Sequence, residues 1–253
     1  VLGSSISGLT IGKSTKTADI TLSTAQTLAG PITIYGGNIN VNANLDTKNG
    51  GVAGDILLKA SGNIIQSAST TVNTAGGDVT YWSNSDGETT NGGYIHLKNS
   101  VTIDTRTASD RTANDGTNND QNGGAITLGG GSAGTTTPTG YAYSKTASTG
   151  GIFLGTSGSS AISLSSGGGD ITLRGQANAA TESNGIFTYG GFTIDGGKTG
   201  NITLDGQGQN GSYNAGIYTS YQMSAGNNLI KTVNGNISIT GSSNGGGSSG
   251  DRG

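Results

Sequence analysis

The chain has 253 residues, of which 49 are Gly, 2 are Pro and none is Cys; charged residues make up 11% and the net charge is -3. Ordinary globular domains carry about 25% charged residues, so this composition argues against a typical soluble enzyme. The absence of Cys excludes a disulfide scaffold and a thiolate metal site. Because Lys and Arg are scattered and the net charge is slightly negative, nucleic-acid binding is disfavoured, and no apolar run is long enough to span a membrane.

Short alternating runs of apolar and polar residues begin in the first fifth of the chain, at Ile32-Thr33-Ile34 and Ile39-Asn40-Val41, and return as far along as Ile171-Thr172-Leu173. This alternation is the period of a half-buried strand. No long stretch has the apolar spacing of a helix, and Gly interrupts most candidates. We therefore expect an all-β fold.

A recurring phrase sets the organisation: Gly, then Asp or Asn, then an alternating strand. Its copies lie roughly 15 to 35 residues apart, a spacing typical of solenoids. One such strand buries too few side chains to offset about 1 to 2 kcal/mol of backbone entropy per residue, so the strands must stack. The alternative is that the Gly-Asn and Gly-Asp pairs form hairpin turns of an antiparallel barrel or sandwich. The copies begin at Gly37, Gly54, Gly62, Gly77, Gly169, Gly200 and Gly235, and variants of the phrase that also lead into strands begin at Gly93, Gly124 and Gly151.

Within this phrase, Gly is expected where the chain turns a corner or approaches another backbone closely. The neighbouring Asn or Asp is expected to bond its own turn, or to bond the equivalent residue one coil away as a ladder. If each coil takes about 20 to 25 residues, the chain forms roughly ten coils. We expect a single solenoid over residues 1–240 that continues in a longer protein.

Several phrases resemble the large repetitive haemagglutinin-like exoproteins of Gram-negative bacteria, the filamentous-haemagglutinin class of adhesins. The resemblance implies a right-handed parallel β-helix, export across the outer membrane, and a role in adhesion, biofilm or surface-fibre formation. The phrases that carry it are Ala18-Asp19-Ile20-Thr21-Leu22, Ala29-Gly30-Pro31-Ile32-Thr33-Ile34-Tyr35-Gly36-Gly37-Asn38-Ile39-Asn40-Val41, Leu58-Lys59-Ala60-Ser61-Gly62-Asn63-Ile64 and Gly76-Gly77-Asp78-Val79-Thr80-Tyr81-Trp82-Ser83.

Three segments are predicted to lie outside the strands. The stretch 105–122 is polar throughout and should project as a solvated loop; Asp115, Asn118 and Asp120 would be its calcium ligands, but no known calcium motif matches. A second loop, 83–92, carries Asp86 and Glu88, and we assign no metal to it. The Gly- and Ser-rich segment 241–253 is predicted to be a linker or loop.

Catalysis is not expected, and neither is a cofactor. Glycoside chemistry would need two carboxylates about 5 to 9.5 Å apart, for which Asp170 with Asp195 or Asp205 are the candidates. Most acidic residues already have a role in the turn phrase. The single histidine, His96, lies between two apolar residues and should point outward. With no second His and no Cys, neither a catalytic triad nor a zinc site is expected.

The aromatic residues are few and uneven. Tyr81 and Trp82 are neighbours in one strand, so one should be buried and the other exposed. In the last quarter, Tyr189, Tyr218 and Tyr221 are candidates for contact with sugar rings; the alternative is that such rings fill wider coils or cap the stack.

These patterns predict an extracellular structural or adhesive stalk at a bacterial cell surface. Its expected partners are like chains, in fibre assembly, or glycans and proteins on host or neighbouring cells. The alternative function is a carbohydrate-binding or polysaccharide-degrading β-helix module.

Overall fold

The computed structural model describes residues 6–15, 17–47, 53–89, 92–109, 121–144, 150–156, 161–177, 184–209, 214–220 and 228–243. These residues form 23 strands. In chain order they are β1 (Leu9–Ile11), β2 (Ile20–Leu22), β3 (Gln26–Thr27), β4 (Ile32–Gly36), β5 (Ile39–Val41), β6 (Leu45–Asp46), β7 (Ile56–Ala60), β8 (Ile64–Gln66), β9 (Thr71–Asn73), β10 (Val79–Ser83), β11 (Ile95–Leu97), β12 (Thr102–Asp104), β13 (Ile126–Gly130), β14 (Ala142–Ser144), β15 (Gly150–Leu154), β16 (Ile162–Ser165), β17 (Ile171–Ala177), β18 (Asn184–Thr188), β19 (Phe192–Asp195), β20 (Ile202–Gly208), β21 (Ile217–Thr219), β22 (Leu229–Lys231) and β23 (Ile237–Ser243).

The strands form three parallel sheets that the chain visits in rotation. Sheet A has the order β1-β4-β7-β10-β13-β17-β20-β23, with β14 paired to the second half of β17. Sheet B has the order β2-β5-β8-β11-β15-β18-β21, and sheet C runs β3-β6-β9-β12-β16-β19-β22. Within the described residues, antiparallel pairing is limited to two isolated bridges, Gly93 with Tyr143 and Gly130 with Gly140. The fold is therefore a parallel β-solenoid, as predicted, and not an antiparallel barrel; its right-handed sense stays a prediction.

Coil length varies along the solenoid. In sheet A, Leu9, Ile32, Ile56 and Val79 occupy equivalent positions at intervals of 23 or 24 residues. The next equivalent residues are Ile126 and Ile171, because loops and β14 lengthen those coils. The described residues accordingly make seven three-strand coils followed by β23, where a uniform coil length predicted about ten.

The core is a set of aliphatic columns inside the three sheets. In sheet A the first inward position holds Ile32, Ile56, Val79, Ile126, Ile171 and Ile202, all at most 1% exposed. Along each strand, the residues that alternate with these inward ones, such as Thr33 and Thr127, point outward, as the sequence pattern predicted. Each fully buried Val, Leu or Ile stabilises the fold by about 1.5 to 3 kcal/mol, so the columns grow stronger as coils are added.

A column of glycines marks the corner where each coil leaves sheet C and enters sheet A. A Cβ on Gly77 would lie 2.6 Å from the carbonyl oxygen of Gly54 in the coil below, so a larger residue cannot fit. The hydroxyl of Thr74 donates to the carbonyl of Gly77, and the hydroxyl of Thr47 donates to that of Gly54, each at 2.5 Å. The predicted close approach is confirmed at these corners.

The Asp and Asn residues that follow these glycines bond from coil to coil. The amide N–H of Asp78 donates to Oδ1 of Asp55 (2.9 Å), and the amide N–H of Ala125 donates to Oδ1 of Asp78 (2.7 Å). Asp170 and Asn201 repeat the arrangement further along, where Oδ1 of Asp170 accepts from the amide N–H of Asn201 at 2.8 Å. Of the two predicted roles for these side chains, the ladder between coils is the one that forms.

The prediction that one of Tyr81 and Trp82 is exposed is wrong, because both are at most 1% exposed. Tyr81 points into the core, and its hydroxyl donates to Oε1 of Gln66 at 2.8 Å. Trp82 lies on the outer face, but other parts of the chain cover it. The ammonium of Lys59 lies 3.5 Å from the centroid of the Trp82 ring, and the indole N–H donates to the carbonyl of Gly131 at 2.7 Å.

Two predicted loop regions are only partly described. In the segment 105–122, Thr105 is fully buried and its hydroxyl donates to the carbonyl of Gly124 at 2.5 Å, so the start of the segment belongs to the solenoid. Residues 110–120 lie outside the described residues. At the other end, β23 runs to Ser243, three residues into the predicted linker 241–253, and residues 244–253 lie outside the described residues.

Candidate functional site

The most distinctive surface feature is a row of aromatic rings on the outer face of sheet B. His96, Phe153, Phe187 and Tyr218 occupy equivalent positions on β11, β15, β18 and β21. All four are half-buried, while their inward neighbours Ile95, Ile152 and Ile186 are at most 1% exposed. We call His96, Phe153, Phe187 and Tyr218 the aromatic ladder.

Local sequence explains why these rings meet. The triplet Gly-Ile-aromatic begins at Gly151, Gly185 and Gly216, and each copy lies one coil after the last. The Ile enters the core and the ring points outward. Gly is required because backbone atoms of sheet A lie very near this position: a Cβ on Gly185 would lie 2.6 Å from the carbonyl oxygen of Gly175. Sequence reasoning recognised the first triplet as a strand but missed its repetition, which was the available signal for the ladder.

The rings of the ladder stack along the solenoid axis. Ring centroids are 4.5 Å apart for His96 and Phe153, 4.9 Å for Phe153 and Phe187, and 5.5 Å for Phe187 and Tyr218, the last pair being almost parallel at 2°. Each such pair stabilises by about 0.5 to 1.5 kcal/mol beyond its buried area. Phe153 and Phe187 each have a ring on either side, so their faces are largely occupied by neighbouring rings. This geometry favours a stabilising role.

Two of the three predicted sugar-contact residues lie at this surface. Tyr218 is the last ring of the ladder, and the ring of Tyr189 lies beside Phe187 with centroids 6.1 Å apart. Tyr221 lies outside the described residues. The structure therefore brings Tyr189 and Tyr218 to one face together with Phe153 and Phe187, which sequence reasoning did not choose as contacts.

His96 points outward, as predicted, but it is held in place. Its Nε2 atom lies 3.1 Å from the carbonyl oxygen of Gly155, so the neutral ring that carries its proton on Nε2 donates to that carbonyl. Burial lowers the pKa of His96 below its usual value, the Gly155 carbonyl opposes this effect, and the charge of Lys98 adds to it. The folded chain therefore favours the neutral form of the His96 ring.

This pKa shift predicts a pH dependence of stability. Because the pKa of His96 is lower in the folded chain than in the unfolded chain, the unfolded chain takes up the proton first as the pH falls below about 6.5. We expect the wild-type chain to lose stability between about pH 7 and pH 5 relative to a His96→Phe variant. Urea midpoints measured across this range test the prediction, and parallel pH profiles for the two chains would contradict it.

The acidic residues proposed for glycoside chemistry are each engaged elsewhere. Asp170 accepts from the amide N–H of Asn201 in the ladder between coils. Asp195 accepts from the amide N–H of Gly197 at 3.0 Å and pairs with Lys231 at 3.0 Å. Asp170 thus serves the ladder between coils, and Asp195 serves a turn and a surface ion pair.

Asp205, the third candidate, is in the middle of β20 and opposite Arg174 in the register of sheet A. Its Oδ2 accepts from the hydroxyl of Tyr141 at 2.7 Å. Burial raises the pKa of Tyr141 to about 12, and the carboxylate of Asp205 adds to the shift. The pair therefore holds its proton on the tyrosine at neutral pH and links the loop before β14 to sheet A.

The metal candidates give no site in the described part of the chain. Asp115, Asn118 and Asp120 lie outside it. Asp86 is exposed, and its Oδ1 accepts from the amide N–H of Glu88 at 3.2 Å, which closes a local turn. No group of three or more His, Cys, Asp or Glu side chains that could hold a metal ion occurs among the described residues.

No protein-family model matches the chain, no curated protein matches it, and no solved structure matches it. Among the described residues, no helix has the length and apolar character needed to cross a membrane.

Proposed function

We propose that the chain is a structural and adhesive β-solenoid stalk exposed at a bacterial cell surface. The observation that carries the proposal is the continuity of the three sheets, which run through seven coils with one unbroken aliphatic core. Such a rod transmits load through backbone ladders parallel to its axis and displays loops along its sides. The resemblance of the repeat phrases to haemagglutinin-like exoproteins points the same way.

We propose that other copies of the same chain are one class of partner. The net charge is only -3 over 253 residues, so charge repulsion between neighbouring copies is weak. Strand edges left open on a sheet are templates for pairing with another strand. Surface glycans or proteins of other cells are the second class of partner.

Adhesion is tested with beads that carry the purified chain. We expect the coated beads to be retained on a layer of epithelial or bacterial cells, and free chain added in excess to reduce that retention. Beads coated with albumin serve as the control for passive sticking. Retention no greater than that of the albumin beads, on every cell type tried, would contradict the adhesive part of the proposal.

The runner-up function is a carbohydrate module that uses the aromatic ladder, since Phe187 and Tyr218 of the ladder lie on one face with Tyr189. We expect Tyr218→Ala to leave glycan retention unchanged, because the Tyr218 ring stacks face to face on Phe187 and serves the ladder. Affinity chromatography on immobilised glycans checks this expectation. A loss of retention by the Tyr218→Ala chain would favour the carbohydrate module over the stalk.

A further inference from the structure

A groove of about 320 Å³ crosses the outer surface of the solenoid beside sheet A, toward the N-terminal end. Its floor includes Tyr35 and Lys59, and its rim carries Asp86 and several seryl and threonyl hydroxyls, among them those of Thr17 and Ser61. The volume lies at the lower end of the range for small-molecule sites, which is about 300 to 1,000 Å³. The groove is separate from the aromatic ladder, which belongs to sheet B.

Strand register builds the floor of this groove. Tyr35 on β4 is directly opposite Lys59 on β7, and Lys59 is opposite Trp82 on β10. The inward neighbours Ile34 and Leu58 are fully buried, so these outer side chains are fixed by the core beneath them. The turns that follow β1 and β10 supply the two walls.

Among the described residues that line the groove, Lys59 is the cationic one. Its ammonium lies 3.5 Å from the centroid of the Trp82 ring. Within the described ranges, the ion pairs are those of Arg106 with Asp104 and Lys231 with Asp195, and Lys59 has no carboxylate partner. Burial lowers the pKa of Lys59. An anion in the groove would therefore find an ammonium with which to pair.

The other lining groups suit a sugar. Hydroxyls donate and accept hydrogen bonds, as the hydroxyl groups of a sugar do, and a tyrosine ring offers an apolar surface with a polar tip. Asp86 is exposed on the rim, where it can accept from sugar hydroxyls and repels a second negative charge. The groove therefore fits a ligand with many hydroxyls and a single carboxylate better than an acidic peptide.

We propose that this groove binds a short glycan segment that carries one carboxylate, with the carboxylate at Lys59 and a sugar ring against Tyr35. The inference deepens the adhesive function proposed above, on which it rests, by naming the class of ligand. The carboxylate can belong to a sialic acid or to a uronic acid, since both offer the same charge to Lys59.

The test is a titration of the isotopically labelled chain, followed by amide chemical shifts. The probes are sialyllactose and cellobiouronic acid, with lactose and cellobiose as uncharged partners and an acetylated tripeptide with one glutamate as the peptide control. We expect at least one acidic glycan to shift amides around Tyr35 and Lys59, and its uncharged partner to bind about tenfold more weakly. The acidic glycan that binds identifies the source of the carboxylate.

Variants separate the groove from general charge effects. Lys59→Met keeps an unbranched apolar stem beside Trp82 but removes the charge, and we expect it to weaken binding of the acidic glycan about tenfold. Asp86→Asn removes a repulsive charge and should strengthen the same binding. Lys98→Met, on the outer face of sheet B, is the matched control and should have no effect. Thermal unfolding curves check that each variant folds.

Three results would overturn the proposal. They are the absence of any shift with either acidic glycan at about 10 mM, equal binding by wild-type and Lys59→Met chains, and equally tight binding of the tripeptide. These results bear on the groove alone, because bead adhesion does not depend on which surface makes the contact. If the groove binds glycan while coated beads fail to adhere, the groove stands and the adhesive stalk fails.

Discussion

A Gly77→Ala chain is expected to be less stable than the wild type by about 3 kcal/mol or more, the upper part of the range for an added methyl group in a packed site. The added Cβ would lie 2.6 Å from both the carbonyl carbon and the carbonyl oxygen of Gly54, and 3.0 Å from the amide nitrogen of Asp55. These are backbone atoms, so relief requires two coils to separate. Separation would also stretch the hydrogen bond between Asp55 and the amide of Asp78.

The matched control is Gly8→Ala, at another glycine just before a strand of sheet A. A Cβ on Gly8 would have its nearest neighbour at 3.5 Å, the carbonyl oxygen of Pro31, which is an ordinary contact. Urea denaturation followed by circular dichroism measures both variants. If Gly77→Ala and Gly8→Ala shift the midpoint equally, the close stacking of coils at the glycine corners is contradicted.

A Leu128→Ala chain is expected to lose about 2 to 5 kcal/mol, the usual cost of a cavity left by a buried leucine. Leu128 is fully buried in β13, in the column between Tyr81 of the coil below and Leu173 of the coil above. A thin core offers few other side chains to fill the space, so the loss should be near the upper end.

Its control is the adjacent residue. Thr127 points outward from the same strand, and Thr127→Ala should change the free energy of unfolding by about 0.5 kcal/mol or less. Denaturation midpoints of the two variants compare the inner and outer faces of one strand directly. A larger loss from Thr127→Ala than from Leu128→Ala would mean that β13 faces the other way.

The fold could be predicted from the sequence because its rules are local. Alternation in Ile32-Thr33-Ile34 places one face inward, and the Gly-Asp pair before Val79 fixes a corner, so strands and stacking follow from short segments. The coil lengths could not be predicted from these local rules. Equivalent residues of sheet A are 23 or 24 residues apart in the first coils, but β14 and the longer loops lengthen the later ones.

The surface was harder to predict because it depends on contacts between distant residues. Trp82 is covered by Gly131 and Lys59, one of which lies 49 residues further along the chain. His96 meets Phe153 only because β11 and β15, which are far apart in the chain, pair in register in sheet B. Alternation indicated which way each residue points but could not reveal what covers it.

Electron microscopy of the native cell surface, with gold-labelled antibody raised against this chain, tests the stalk most directly. The account predicts label along thin threads that extend from the outer surface of the cell, because a stacked solenoid is built to be an elongated support. Label confined to compact single particles in the medium would contradict it.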